Sequence, residues 1–269
     1  MVLKVDVQKR NIEYLFYPNL NPSDDIRGEL TKIDYKIYVP MRHKNIIYKF
    51  NLETEQIETI TVNTELEGID TLCFDGKLFW MTGIGKMICS WDERKNTCVS
   101  YENYPEGFGK FTEREEEKGW WFALSRVYQN AIYFVPSYAN MLIKLDIKTL
   151  KMKEIAIADE EEDRESLNRR GRFYIQKFSC GKLKNNRLML LSAKNKNLIF
   201  INLDTEKVEK IEFQRKYNVK NYILKNMYEI LDDGMISVLC WLENMCISQI
   251  FKETQKNEVI GKLIIHQIL

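Results

Sequence analysis

Lys36 to Val62 reads KIYVPMRHKNIIYKFNLETEQIETITV. Ile37-Tyr38-Val39 is a continuous apolar run, which suits a strand covered on both faces. The polar loop Met41-Arg42-His43-Lys44 follows. Ile46, Tyr48 and Phe50 then alternate with their neighbours, as a half-buried strand does. Asn51-Leu52-Glu53-Thr54 is a turn, because an Asn or Asp carbonyl can accept a hydrogen bond from the backbone two residues on. Ile57, Ile60 and Val62 form a second, weaker strand beyond it.

The same unit returns along the chain. Its turns open at Asp6, Asn51, Asp92, Asp146, Asn202 and Phe251, at intervals of 41 to 56 residues. Phe251 departs from the Asp/Asn rule, so the last copy is the weakest. Thr54, Thr149, Thr205 and Thr254 recur three residues into their turns. Continuous runs equivalent to Ile37-Tyr38-Val39 stand at 78–80, 132–135, 188–191 and 235–239. One further strand is expected ahead of each run, at Glu29–Ile33, Asp70–Phe74, Phe122–Val127, Tyr174–Phe178 and Tyr222–Ile230. Each unit therefore holds four strands, A to D. A four-stranded sheet cannot bury both faces alone, whereas sheets stacked side by side around an axis can.

At these residues the chain resembles the β-propeller superfamily. The IYFVP run at 132–136 followed by LDIKT at 145–149 is similar to the repeats of several propeller families. It departs from WD repeats, since Trp91-Asp92 is the sole Trp-Asp pair, and it lacks the kelch Gly-Gly. The resemblance implies an all-β propeller of four-stranded blades in a single domain, residues 1–269, and implies no activity. Five units are complete, at 29–64, 69–104, 120–158, 172–213 and 222–265. Leu3 to Tyr17 supplies the C–D half of another. The expected ring has six blades, one of them partial. A five-bladed ring capped by the N-terminal hairpin, or completion by a partner chain, are the alternatives.

Two D-to-A connections are long, Pro105–Gly119 and Asp159–Gly171, and flank the third blade. Each carries helix signals. Thr112 with Glu115 makes a capping box, and Gly119 suits a helix end. Asp159 with Glu160, Glu161 and Glu162 opens the second segment, and Arg169 and Arg170 close it, complementing a helix dipole. Short helical insertions between blades are expected there. D-to-A and B-to-C connections emerge on one face of a propeller, and long loops on a rigid scaffold are where binding residues gather.

The chain has 269 residues with 40 basic and 39 acidic side chains, net charge +1. No basic excess advertises a nucleic-acid partner, and none is expected. The N-terminus lacks the apolar core of a secretory signal, and no run is long enough for a membrane span. Cys73, Cys89, Cys98, Cys180, Cys240 and Cys246 form no CxxC pair. Reduced thiols in a cytoplasmic protein are expected, with no metal and no cofactor. Gly83-Ile84-Gly85 precedes a strand and lacks a Gly-Lys-Ser/Thr ending, so it is no phosphate loop.

The candidate binding residues lie on the insertion-bearing face. The B-to-C loops contribute Arg42, His43 and Lys44, Lys86, Tyr138, Lys194 with Lys196, and Trp241. Trp120 and Trp121 follow the first insertion and point to opposite sides of strand A, so that at most one is core and the other lines the channel or meets a partner; inter-blade packing of both is the alternative. Arg126 lies further along the innermost strand, where it pairs with a carboxylate or meets an anion. A cationic, aromatic-studded rim suits an acidic protein segment, a phosphate or an anionic sugar; loops rich in lysine are also ordinary surface. There is no nucleophile elbow, dinucleotide fingerprint or metal cluster, which favours a non-catalytic scaffold that binds a protein or peptide. A propeller lyase or hydrolase using His43 and a channel carboxylate on an anionic or carbohydrate substrate is the alternative. A sugar-binding module stacking rings on Trp120, Trp121 and Tyr138 is a third reading.

Overall fold

The computed structural model describes residues 2–6, 11–15, 30–109, 119–157, 178–192 and 197–212. The chain divides into two compact units, one joining Met1–Pro22 with Ile211–Leu269, the other spanning Ser23–Lys210. In the first, β1 (Val2–Asp6) pairs antiparallel with β2 (Asn11–Leu15), with Asp6 opposite Asn11. This is the hairpin read from Leu3 to Tyr17.

The remaining described strands make four four-stranded antiparallel sheets, each a meander in chain order. The first holds β3 (Thr31–Ile33), β4 (Lys36–Pro40), β5 (Ile46–Asn51) and β6 (Ile57–Thr61). The second holds β7 (Glu67–Phe74), β8 (Phe79–Ile84), β9 (Ile88–Asp92) and β10 (Thr97–Tyr101). The third holds β11 (Phe122–Tyr128), β12 (Ala131–Pro136), β13 (Leu142–Asp146) and β14 (Met152–Ile155). The fourth holds β15 (Phe178–Lys184), β16 (Arg187–Ser192), β17 (Asn197–Asn202) and β18 (Val208–Glu212). No helix occurs among the described residues. The helices expected around Thr112–Glu115 and over 159–171, and the unit at 222–265, lie outside them.

Turn chemistry accounts for the repeat. Asn51 Oδ1 accepts from the Glu53 and Thr54 amides at 2.9 and 3.2 Å. Asp92, Asp146 and Asn202 accept from the equivalent amides two and three residues on. The residue four positions after each of them, Glu55, Asn96, Leu150 or Glu206, has a positive φ that lets the chain re-enter the sheet. The A-to-B hairpins use positive φ as well, at Asp34, Gly76, Gln129 and Asn185. The last of these corrects one boundary. The fourth inner strand extends to Lys184, opposite Arg187, instead of ending at Phe178. Its polar lysines and Gly181 hid it from an apolar-run search. The glycine fits because a β-carbon would stand 2.8 Å from Leu190 and 2.9 Å from Leu124.

Side-chain alternation sends successive residues of a strand into different seams. Phe79, Met81 and Trp91 of the second sheet pack with Tyr38 and Ile47 of the first. Trp80 and Ile88 pack the other way, with Phe122, Phe134 and Ile143 of the third. Leu124, Tyr133 and Val135 of the third meet Phe178, Leu188 and Leu190 of the fourth. β12 is buried at every position, as a strand covered on both faces must be. The inner strands lie beside one another in sequence order, β3 by β7, β7 by β11, β11 by β15.

Several buried polar groups on this core are matched. Trp80 Nε1 donates to Asp75 Oδ2 at 2.8 Å, and Trp91 Nε1 to Asn96 Oδ1 at 3.1 Å. Thr71 and Thr82, directly opposite each other, share a 2.9 Å hydroxyl contact. Burial pushes the Cys73 thiol up to about 12, despite a hydrogen bond with Ser125 that favours the thiolate. It is a core group with no reactive character.

Candidate functional site

Three backbone segments converge where the first three sheets meet. The loop Met41–Asn45 joins β4 to β5. Its Met41 carbonyl accepts from Ile69 N–H at 3.0 Å, and Asn45 Oδ1 accepts from Gly68 N–H at 3.0 Å. This approach needs glycine. A β-carbon at Gly68, whose φ is +75°, would stand 2.0 Å from the Arg42 carbonyl oxygen; one at Gly83 would stand 2.2 Å from that of Gly68. Beyond Gly83, Gly85 N–H donates to Gly119 O at 3.0 Å, and Gly85 pairs with Trp120 as an isolated parallel bridge.

Trp120 is thereby carried across the top of the second sheet to the loop of the first. The Arg42 guanidinium carbon lies 3.5 Å from the centre of its ring. His43, which is exposed, meets the same ring edge-on with centroids 5.5 Å apart. Asp70 completes the cluster. It falls within an irregular stretch of β7, between Glu67 and Thr71, and such bulges re-aim side chains. Its Oδ1 lies 2.9 Å from Arg42 Nε, with Arg42 and Asp70 side chains only 12% and 6% exposed. The geometry is too oblique for a hydrogen bond, so the contact is an ion pair. Trp120 Nε1 is buried and has no hydrogen-bond partner.

The two tryptophans diverge, though both precede β11 and stand in the connection ahead of it. Trp121 goes to an aromatic stack, 5.4 Å from Phe108, which lies parallel to Tyr104 at 4.0 Å. Asn140 holds this part of the connection. Its Nδ2 donates to Gly107 O at 2.8 Å and its Oδ1 accepts from Gly109 N–H at 2.9 Å. Tyr138 lies against Gly119, where a β-carbon would stand 3.2 Å from its ring. Lys86 is exposed, 3.7 Å from Glu102, and its carbonyl accepts from the Tyr104 hydroxyl. Burial, with Glu102 nearby, pushes the Tyr104 hydroxyl well above the usual phenol range. Arg126 donates to Ser125 O at 2.8 Å and to Gly181 O at 2.9 Å, tying β11 to β15. Arg42, His43 and Trp120 are thus brought together, with Tyr138 beside the same connection. Lys194, Lys196 and Trp241 lie outside the described residues. Asp70 was missed as a site residue, because it read only as the start of a strand. Among the described residues no group of three or more His, Cys, Asp or Glu could hold a metal ion, and no helix is long and apolar enough to cross a membrane.

No family model matches the chain, and no curated protein matches it by sequence. Solved structures do match it by fold. A catalytically inactive virginiamycin B lyase from Staphylococcus aureus, with quinupristin, aligns with a TM-score of 0.53 at 11% identity, over 78% of this chain and 62% of that one. A streptogramin B lyase aligns at 0.50 and 14% identity, over 74% and 58%. Hydrazine synthase from Kuenenia stuttgartiensis aligns at 0.50 and 10% identity, over 77% and 54%. The chain spans less than two thirds of the length of each. These likenesses establish a β-propeller fold. At such identities they carry no activity across.

Proposed function

We propose that this chain is a non-catalytic propeller that engages a protein or peptide partner through the face bearing Arg42, His43 and Trp120. One observation carries the reading: an arginine and an indole held in fixed register by the loop after β4, by β7 and by the connection ahead of β11, with the ring's N–H left without an acceptor among the described residues. Tryptophan and arginine are the residue types that dominate binding hot spots, and preorganised ones lose least on binding. On this reading Lys86, Tyr138 and Trp121 would shape the rim of that face. The six-blade count, with β1–β2 as half of one blade, and a cytoplasmic location belong to the same proposal.

An affinity pull-down with the full chain tests it. Wild type should retain one stoichiometric partner, and Trp120→Ala should release it without altering the far-ultraviolet spectrum. Equal retention by Trp120→Ala would move the partner to another surface.

A further inference from the structure

We infer that the Arg42–Trp120 cluster is a receptor for a carboxylate. The inference rests on the reading of this face as a docking surface, and names the chemistry it recognises. Arg42 makes two contacts, the ion pair from Nε to Asp70 and the stack on Trp120. Both fix the plane of the guanidinium. The ion pair runs from Nε, and no hydrogen bond from Nη1 or Nη2 occurs among the described residues, so the outer fork is the part left to meet a ligand. A planar fork of this kind matches the two oxygens of a carboxylate. The indole Nε1 of the same ring is buried and has no acceptor among the described residues, so its resonance reports on any change at the cluster.

Asp70 decides between anions. It stands 2.9 Å from the arginine and already offsets its charge. A phosphate dianion would bring two charges towards that carboxylate, whereas a carboxylate brings one. Carboxylates of two origins fit, an acidic side chain of a polypeptide or a small free acid.

The test uses the full chain labelled with nitrogen-15, following the indole resonances during titration. The probes are hexaglutamate peptide, N-acetylglutamate and inorganic phosphate, with N-acetylglutamine as the uncharged control. Hexaglutamate or N-acetylglutamate should shift the Trp120 resonance saturably, while phosphate and N-acetylglutamine leave it in place. A response to hexaglutamate alone assigns the carboxylate to a polypeptide; an equal response to N-acetylglutamate assigns it to a small acid. Arg42→Lys keeps a cation beside Asp70 but removes the fork, and should weaken the response at least about tenfold, the scale of one charge-assisted hydrogen bond. Arg42→Gln is the second variant, and should abolish the response. A phosphate response as strong as the carboxylate one would overturn the inference, as would no response to either acid, or an unchanged response in folded Arg42→Lys. The docking proposal fails separately. A partner lost with Trp120→Ala but kept by Arg42→Lys leaves docking in place and removes the carboxylate; a carboxylate response with a partner indifferent to Trp120→Ala does the reverse.

Discussion

Trp80 and Trp120 sit in neighbouring parts of the same three-sheet region, and their indoles are treated differently. Trp80 is fully buried in the seam between the second and third sheets, with its N–H donated to Asp75. Trp120 is half-buried on the loop face, stacked under Arg42, with its N–H unmatched. Leaving a buried donor without a partner costs roughly 1–3 kcal/mol. The two seams avoid that cost at their buried indoles, Trp80 and Trp91. The loop face carries it at Trp120. The difference separates an indole that holds two sheets together from the one on which the proposed docking face rests.

The contrast can be broken first at the core. Trp80→Ala should destabilise the chain by about 3–5 kcal/mol, as large aromatic-to-alanine changes in a packed core do. Trp120→Ala should cost well under half of that. Chemical denaturation of both variants measures the difference, and comparable losses would place Trp120 among the structural residues. Gly68→Ala is next. It forces a β-carbon onto the Arg42 carbonyl as well as a strained φ, so it should exceed the roughly 1–2 kcal/mol of a left-handed residue alone. Gly85→Ala has a positive φ with nothing within 4 Å, and should cost only that smaller amount. Equal losses would mean that the loop 41–45 does not press on β7 as described.

The outer ends of the seams offer a smaller effect, readable through pH. Lys144 and Lys153 donate to Glu206 at 2.8 and 2.7 Å across the third and fourth sheets. Burial works to raise the Glu206 carboxyl, but these two bonds outweigh it and hold the group below its ordinary value of 4.5. A depressed carboxylate contributes stability that is complete above its unfolded value and lost as pH falls through the folded one. Glu206→Gln should therefore lower the melting temperature slightly near pH 7, and the gap to wild type should close as pH falls through the depressed folded value. A gap that persists at low pH would assign the effect to packing. Least of all should change at Cys73. Its thiol, pushed up to about 12, should resist alkylation at pH 8 in the native chain and react only on unfolding, as mass spectrometry of the labelled peptide would show.

Much of the fold was legible because its signals are local. The Asp and Asn turn openers do what their side-chain chemistry predicts, and the apolar run at 132–135 is as buried as it reads. The inner strand β15 was misplaced because its pattern is broken by Gly181, a residue set by Leu124 and Leu190 of its neighbours. The candidate cluster was legible only as separate residues. Arg42, His43 and Trp120 stood out by type and loop, yet nothing local says that residue 120 reaches residue 42. That contact depends on two backbones passing at Gly68 and Gly83, and on a bulge that turns Asp70. Three glycines clustered at strand ends, Gly68, Gly83 and Gly85, were the available signal, since close backbone approach is one of the few reasons for glycine in a strand.

The account stands most directly on the indole N–H resonances of Trp80, Trp91 and Trp120, followed while hexaglutamate is added. The prediction is that Trp120 alone moves, from the position of an unbonded indole towards that of a hydrogen-bonded one, while Trp80 and Trp91 stay fixed. If Trp120 stays still, or all three move together, the division between a satisfied seam and a receptive face is contradicted.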